Sequence, residues 1–234
     1  MPRWDVLGKH MICLGTLVMP SATTGFWTPV ALSRDLPAGT VIPARTTAGS
    51  IALWRSASGR ISASADRCPH RGMRLSHGFV RGETLSCIYH GWSYGQAGNC
   101  LRIPAHPGLT PPETIRVATH DVEETDNVIW VAVGAPASKP PRLDDLTPLR
   151  SLTAFAGIAA IEAAAGAKTS PDGLVEIDAS TGVVCLLLSA WEDGQTLIHV
   201  LLKGDTGPEA GIGASRVAES LRRRAEGLQR DIAQ

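Results

Sequence analysis

Residues 68–92, "CPHRGMRLSHGFVRGETLSCIYHGW", hold two Cys–His pairs, Cys68-x-His70 and Cys87-x-x-His90, with sixteen residues between them. Two of the chain's five cysteines and two of its seven histidines are gathered here. Thiolates and neutral imidazoles are metal donors, and two of each suit either tetrahedral zinc or a [2Fe–2S] cluster with mixed ligation. Spacing alone does not separate the two. A zinc finger usually pairs Cys with Cys and His with His along the chain, whereas each loop here offers one of each. That arrangement suits a cluster whose one iron takes both thiolates and whose other iron takes both imidazoles. Gly72, Gly91 and Gly95 would let backbone N–H groups approach the sulfides. Pro69 stiffens the first loop between its donors.

The neighbours have plainer readings. Arg71 is expected to hold loop carbonyls, with facing a redox partner as the alternative, His77 to be an exposed polar residue rather than a partner contact, and Trp92 and Tyr94 to shield the cluster. Cys100, Cys13 and Cys185 read as small buried hydrophobes. His10, His106 and His120 have no partner at ligand spacing.

The rest of the chain must position those loops. Its 234 residues suffice for one good-sized domain or a domain and a half. Net charge is zero, so nothing electrostatic points to nucleic acid or an anionic membrane surface. Five irregularly spaced cysteines are too few for a disulfide framework, and a reducing, cytoplasmic compartment is expected. Residues 1–25 read as a poorly ordered leader. The apolar run "MICLGTLVMP" loosely imitates a signal peptide, but Asp5 and His10 interrupt its basic region and no cleavage site follows; Met11 or Met19 could also be the true start. No apolar run approaches the ~20 residues that span a bilayer.

From residue 26 to 135, short β-rich runs ("FWTPVAL", "SIALWRS", "NVIWVAV") alternate with breakers ("DLPAG", "ASGR", "TDN"). The expected fold is mainly β, an antiparallel sandwich with two cluster-binding loops. Residues 136–170 read as linker: "GAPASKPPRLDD" is Pro-rich, and "AFAGIAAIEAAAGAK" makes a weak helix or second tether. Residues 171–234 read as a small α+β segment: three strands, an Asp-Gly hairpin signal in "WEDGQ", and an amphipathic helix through Val217, Leu221, Ala225, Leu228 and Ile232. Arg222, Arg223 and Arg224 read as its solvated face.

"CPHRG…CIYHGWSYGQAGNCLRIPAHP", with "WTPVALSRDLPAGT" upstream, resembles the N-terminal Rieske domain of Rieske non-haem iron oxygenase α subunits, in their demethylase and monooxygenase branch. The resemblance covers residues 26–135 and implies Cys68, His70, Cys87 and His90 as ligands of a Rieske [2Fe–2S] cluster, the histidines also serving as the electron's exit. The respiratory Rieske branch has an extra disulfide-forming cysteine in each loop; here Met73 and Tyr89 occupy those places. Trp92 stands where that branch has a sulfide-bonding serine, while Tyr94 is retained. Fewer hydrogen bonds to sulfur imply a potential near the low end of the Rieske span, about −150 mV.

In that family the cluster feeds a second iron, held by two histidines and a carboxylate in a C-terminal helix-grip domain. After residue 120 this chain has only His199, which reads as a sheet residue. Asp172, Asp178, Glu162, Glu176 and Glu192 lack histidine partners. The C-terminal segment therefore reads as a shortened remnant of that catalytic domain. Three functions follow from the resemblance. The first is an electron carrier between an NAD(P)H-dependent flavin or ferredoxin-type reductase and a catalytic oxygenase subunit. The second is an oxygenase-family enzyme acting on a small aromatic or N/O-methyl substrate. The third is a non-catalytic remnant or redox sensor. A homo- or hetero-oligomer is compatible with each.

Overall fold

The computed structural model describes residues 24–179, 182–191, 193–204 and 206–232. Leader residues 1–23, with His10 and Cys13, lie outside them, while Thr24 and Gly25, read as the leader's end, open the first strand. Strands β1 (Thr24–Leu32), β2 (Thr40–Thr46), β3 (Gly49–Arg55) and β4 (Ile61–Ala65) open the chain. Short strands β5 (Phe79–Arg81), β6 (Thr84–Ser86), β7 (Ser93–Tyr94) and β8 (Cys100–Arg102) follow, then β9 (Thr119–His120), β10 (Val122–Thr125), β11 (Val128–Val133) and β12 (Ala135–Pro136). The C-terminal part holds β13 (Leu146–Ala154), α1 (Ile158–Ala165), β14 (Leu174–Ala179), β15 (Gly182–Ala190), β16 (Thr196–Lys203) and α2 (Pro208–Ile232).

The strands form four four-stranded sheets, ordered β10-β11-β1-β12, β2-β3-β4-β9, β5-β6-β7-β8 and β13-β16-β15-β14. The fold is mainly β, and its ladders are antiparallel apart from the short β1–β12 pairing. Prolines sit where a ladder tolerates a missing donor: Pro43 on edge strand β2, and Pro29 and Pro148 at register shifts. The first two sheets enclose one core through Val30, Leu36, Ile51, Leu53, Ile129 and Val131.

In residues 136–170, expected as linker with a weak helix or second tether, the Ala-rich stretch forms α1 and the residues before it form β13, a strand that was not expected. β13 pairs with β16 from Leu146 to Ala154, and Pro148 is tolerated because it sits at the register shift of an edge strand. Residues 171–234 supply three strands and one helix, and β13 and α1 add the fourth strand and the second helix of the C-terminal unit. One face of that sheet packs on α1 and α2 through Val184, Leu186, Ile198 and Val200. Its other face meets β1 and β11 through Cys185, Leu187 and Leu201 against Leu32, Val128 and Trp130. His199 lies fully buried among these strands, its Nδ1 2.8 Å from Ser151 Oγ and its ring facing the Pro29 backbone without a hydrogen bond of good geometry. Burial lowers its pKa to about 4, so it is neutral at pH 7.

Helix α2 is seated by Ala210, Ala214, Ala218, Leu221 and Ala225, a seam of mostly small residues at three- and four-residue steps. Expected seam residues Leu221 and Ala225 are in it, whereas Leu228 is exposed. Alanine carries too little hydropathy to mark this face in the sequence.

Candidate metal centre

The sheet β5-β6-β7-β8 and the loops around it carry the two Cys–His pairs. Each loop has the same backbone frame. The Cys68 N–H donates to the Met73 carbonyl at 2.8 Å, and the Gly72 N–H donates back to the Cys68 carbonyl at 2.8 Å. In the second loop Cys87 donates to Trp92 and Gly91 to Cys87, both at 2.9 Å. Both frames close through a glycine in the left-handed region, φ 72° at Gly72 and 69° at Gly91. A β-carbon on Gly91 would stand 3.0 Å from Pro104 Cγ, so Pro104 lies directly against the second loop.

Both thiols are buried, at 2% exposure each, over a core of Trp54, Leu75, Leu85, Tyr94 and Ile103. Desolvation raises the Cys87 pKa, and Cys68 beside it raises it further. Two thiolates brought together in an apolar pocket need a cationic partner, which a metal centre supplies. The Tyr94 hydroxyl is 3.1 Å from Cys68 Sγ, and burial followed by that hydrogen bond raises its pKa. The imidazoles lie on the outside. The His70 and His90 ring centroids are 4.6 Å apart, and Trp92 stacks on His70 at 4.3 Å with the planes 5° from parallel. Burial, then His90 and Arg71, lower the pKa of His70, which favours the neutral, metal-binding ring. Two buried thiols and two adjacent outward imidazoles match the donor set of a mixed-ligand diiron cluster.

Tyr94 and Trp92 thus stand against donors, as expected. His77 is exposed, as expected; Arg71 is exposed too and, against expectation, makes no hydrogen bond to a loop carbonyl among the described residues. Cys100 is buried in the core behind the thiols, opposite Tyr94 in the β7–β8 ladder. His120 pairs opposite Ala63 at the β4–β9 edge, away from both loops in sequence. Sequence reasoning missed Asp66, buried, which accepts the Ser76 N–H and hydroxyl, both at 2.7 Å, and so closes the base of the first loop. The second loop has a weaker counterpart, Ser86 Oγ to Ser93 Oγ at 2.9 Å. A lone Asp two residues before a cysteine gives no sequence signal of this kind.

The family model for the Rieske [2Fe-2S] domain matches residues 26–121. The chain carries a Rieske [2Fe–2S] domain. A Rieske-type cluster is therefore its cofactor, and zinc drops out. Oxidoreductase NdmD of Pseudomonas putida is 42% identical over 115 residues, 49% of this chain and 20% of that protein. The 4beta-methylsterol monooxygenase of Methylococcus capsulatus is 37% identical over 134 residues, 56% of this chain and 35% of its own length. The chain thus matches only a fifth to about a third of these relatives' length. Among solved structures, dicamba monooxygenase superposes with a TM-score of 0.71 over 89% of this chain and 87% of that one, at 20% identity. The shared fold thus extends beyond the Rieske domain into the C-terminal sheet and helices. Among the described residues, no helix is long and apolar enough to cross a membrane.

Proposed function

We propose that Cys68 and Cys87 hold one iron of the cluster and His70 and His90 the other. On this reading the chain carries single electrons from an NAD(P)H-dependent flavin or ferredoxin-type reductase to a mononuclear-iron oxygenase partner in the cytoplasm. The observation that carries the assignment is the pair of matching loop frames, which set both thiols inward and both imidazoles outward. When bound, the cluster supplies one reversible electron. The protein's own part is to bury the thiolate side, stack Trp92 on one imidazole and leave His90 at the surface. Ile88 and Tyr89, at 56% and 54% exposure, flank His90 with an apolar rim suited to transient docking.

Iron and acid-labile sulfide counts on the purified protein test the carrier role. Two irons and two sulfides per chain, with rapid reduction by a ferredoxin or flavin reductase, are expected. A second reading, an oxygenase acting on a small aromatic or N/O-methyl substrate, is favoured by the fold shared with dicamba monooxygenase beyond the Rieske domain. A reproducible third iron with two sulfides would replace the carrier reading with this one.

A further inference from the structure

Far along the chain from the cluster loops, α2 and edge strand β13 border an open groove of about 920 Å³. Its helix wall uses residues 208, 211, 212, 215, 216, 219, 220, 223 and 224, a single face at three- and four-residue steps. At 1.5 Å per residue this face runs about 24 Å. The opposite wall contains both Leu149 and Arg150. Consecutive strand residues ordinarily point to opposite faces; the register shift between Pro148 and Arg150 lets both border the same groove.

The groove is polarised. Pro208, Ile212 (54% exposed) and Leu149 make its N-terminal end apolar. Arg216, Arg223 and Arg224 make the other end cationic, and Arg150 adds a fourth guanidinium from the strand. Glu219 is the single carboxylate in the lining, and it is already engaged by Arg222 and Arg223. Among the described residues Arg150, Arg216 and Arg224 have no hydrogen-bond or ion-pair partner. The "RRR" run is therefore not a uniform solvated face. Arg222 is spent on Glu219 and Glu226, whereas Arg224 borders the groove.

Each half of the lining excludes one class of ligand. An uncharged apolar molecule would leave the guanidiniums without counter-charge. An inorganic anion would leave Leu149 and Ile212 uncovered. We propose that the groove binds an organic carboxylate or sulfonate whose apolar body is about 10 Å long, the run of helix from 208 to 215. The head would be held by Arg216 and Arg224, and the body would cover Ile212 and Leu149.

Isothermal titration of the cluster-loaded protein with decanoate, naphthalene-2-sulfonate and decyltrimethylammonium tests this. Saturable one-to-one binding of either anion supports the site, decanoate indicating an alkyl body and the naphthalene an aromatic one. The cation should bind at least tenfold more weakly. The double variant Arg216→Ala/Arg224→Ala and the single variant Ile212→Asn should each weaken the anion at least tenfold, with the cluster's visible spectrum unchanged as the check of folding. Ser215→Trp, which fills the groove without replacing an arginine, should do the same. The proposal is overturned if neither anion saturates, if the cation binds equally, or if the double variant keeps wild-type affinity. Sedimentation showing a dimer that Arg216→Glu dissolves would assign this face to a second copy, and would also overturn it.

Discussion

The two cluster loops share one hydrogen-bonded frame yet present their histidines differently. In each, a cysteine N–H reaches the carbonyl five residues on, and a glycine four residues on reaches back. His70 follows its cysteine by two positions, is half-buried and lies under Trp92. His90 follows by three positions, is exposed, and stands beside exposed Ile88 and Tyr89. The common scaffold thus carries one imidazole half-buried under Trp92 and the other exposed against the exposed Tyr89 ring, 3.9 Å between centroids. This division makes His90 the favoured exit for the electron in the proposed carrier.

The largest effect comes from removing either imidazole. His70→Ala and His90→Ala are each expected to abolish the Rieske optical and EPR signature and to lower bound iron. Only His70→Ala should also free Trp92, raising its fluorescence quenching by added acrylamide. A signature retained in either variant would break the ligand assignment, and equal acrylamide exposure of Trp92 in both would erase the contrast between the loops.

Bracing is also unequal at the loop bases. Asp66 accepts two hydrogen bonds from Ser76 in a buried setting, while Ser93 has only neutral hydroxyl contacts, to Ser86 Oγ at 2.9 Å and to the Gly91 carbonyl at 3.3 Å. Asp66→Ala should therefore cost about 3 kcal/mol and Ser93→Ala about 1 kcal/mol. Urea unfolding of the cluster-loaded protein measures both, and similar losses would mean that the second loop is braced as firmly as the first.

Glycine substitutions reverse the ranking. Both Gly72 and Gly91 have positive φ, so alanine strains either by about 1 kcal/mol. At Gly72 the new carbon would meet the Arg67 guanidinium, the far end of a flexible chain, at 3.2 Å. At Gly91 it would meet the Pro104 ring at 3.0 Å, which cannot swing aside. Gly91→Ala should cost about 2 kcal/mol and Gly72→Ala about 1 kcal/mol in the same unfolding measurement.

How much of this was legible in the sequence differs by region. The Cys–His spacing marked a metal centre and left zinc open, and the resemblance of the motifs around it pointed to the Rieske domain, because chemistry-bearing residue types leave a local pattern. The C-terminal strands β14, β15 and β16 were legible as apolar runs. Strand β13 was hidden by Pro148 and by its alternating polar residues, since its membership depends on a partner 50 residues away. The seam of α2 was half legible because alanine packs well and yet marks no apolar stripe. The Asp66–Ser76 closure was illegible for the same reason as β13: both partners are ordinary residues until the fold joins them.

The finest test of the comparison concerns sulfur. Only the first loop's thiol has a tyrosine hydroxyl, Tyr94 to Cys68 Sγ at 3.1 Å. The cysteine of the second loop receives backbone N–H groups of Tyr89 and His90 instead. With thiolate at Cys68, Tyr94 donates, and that bond stabilises the more negative, reduced state. Tyr94→Phe removes the donor without changing the ring that packs behind the thiols. A net hydrogen bond of about 1 kcal/mol corresponds to about 40 mV at 59 mV per tenfold for one electron. The midpoint potential, measured by dye-mediated titration, should fall by that amount while ligand-dependent spectra keep their form. No fall, or a rise, would place the hydroxyl's proton elsewhere and leave the two thiolates electronically equivalent despite their unequal loops.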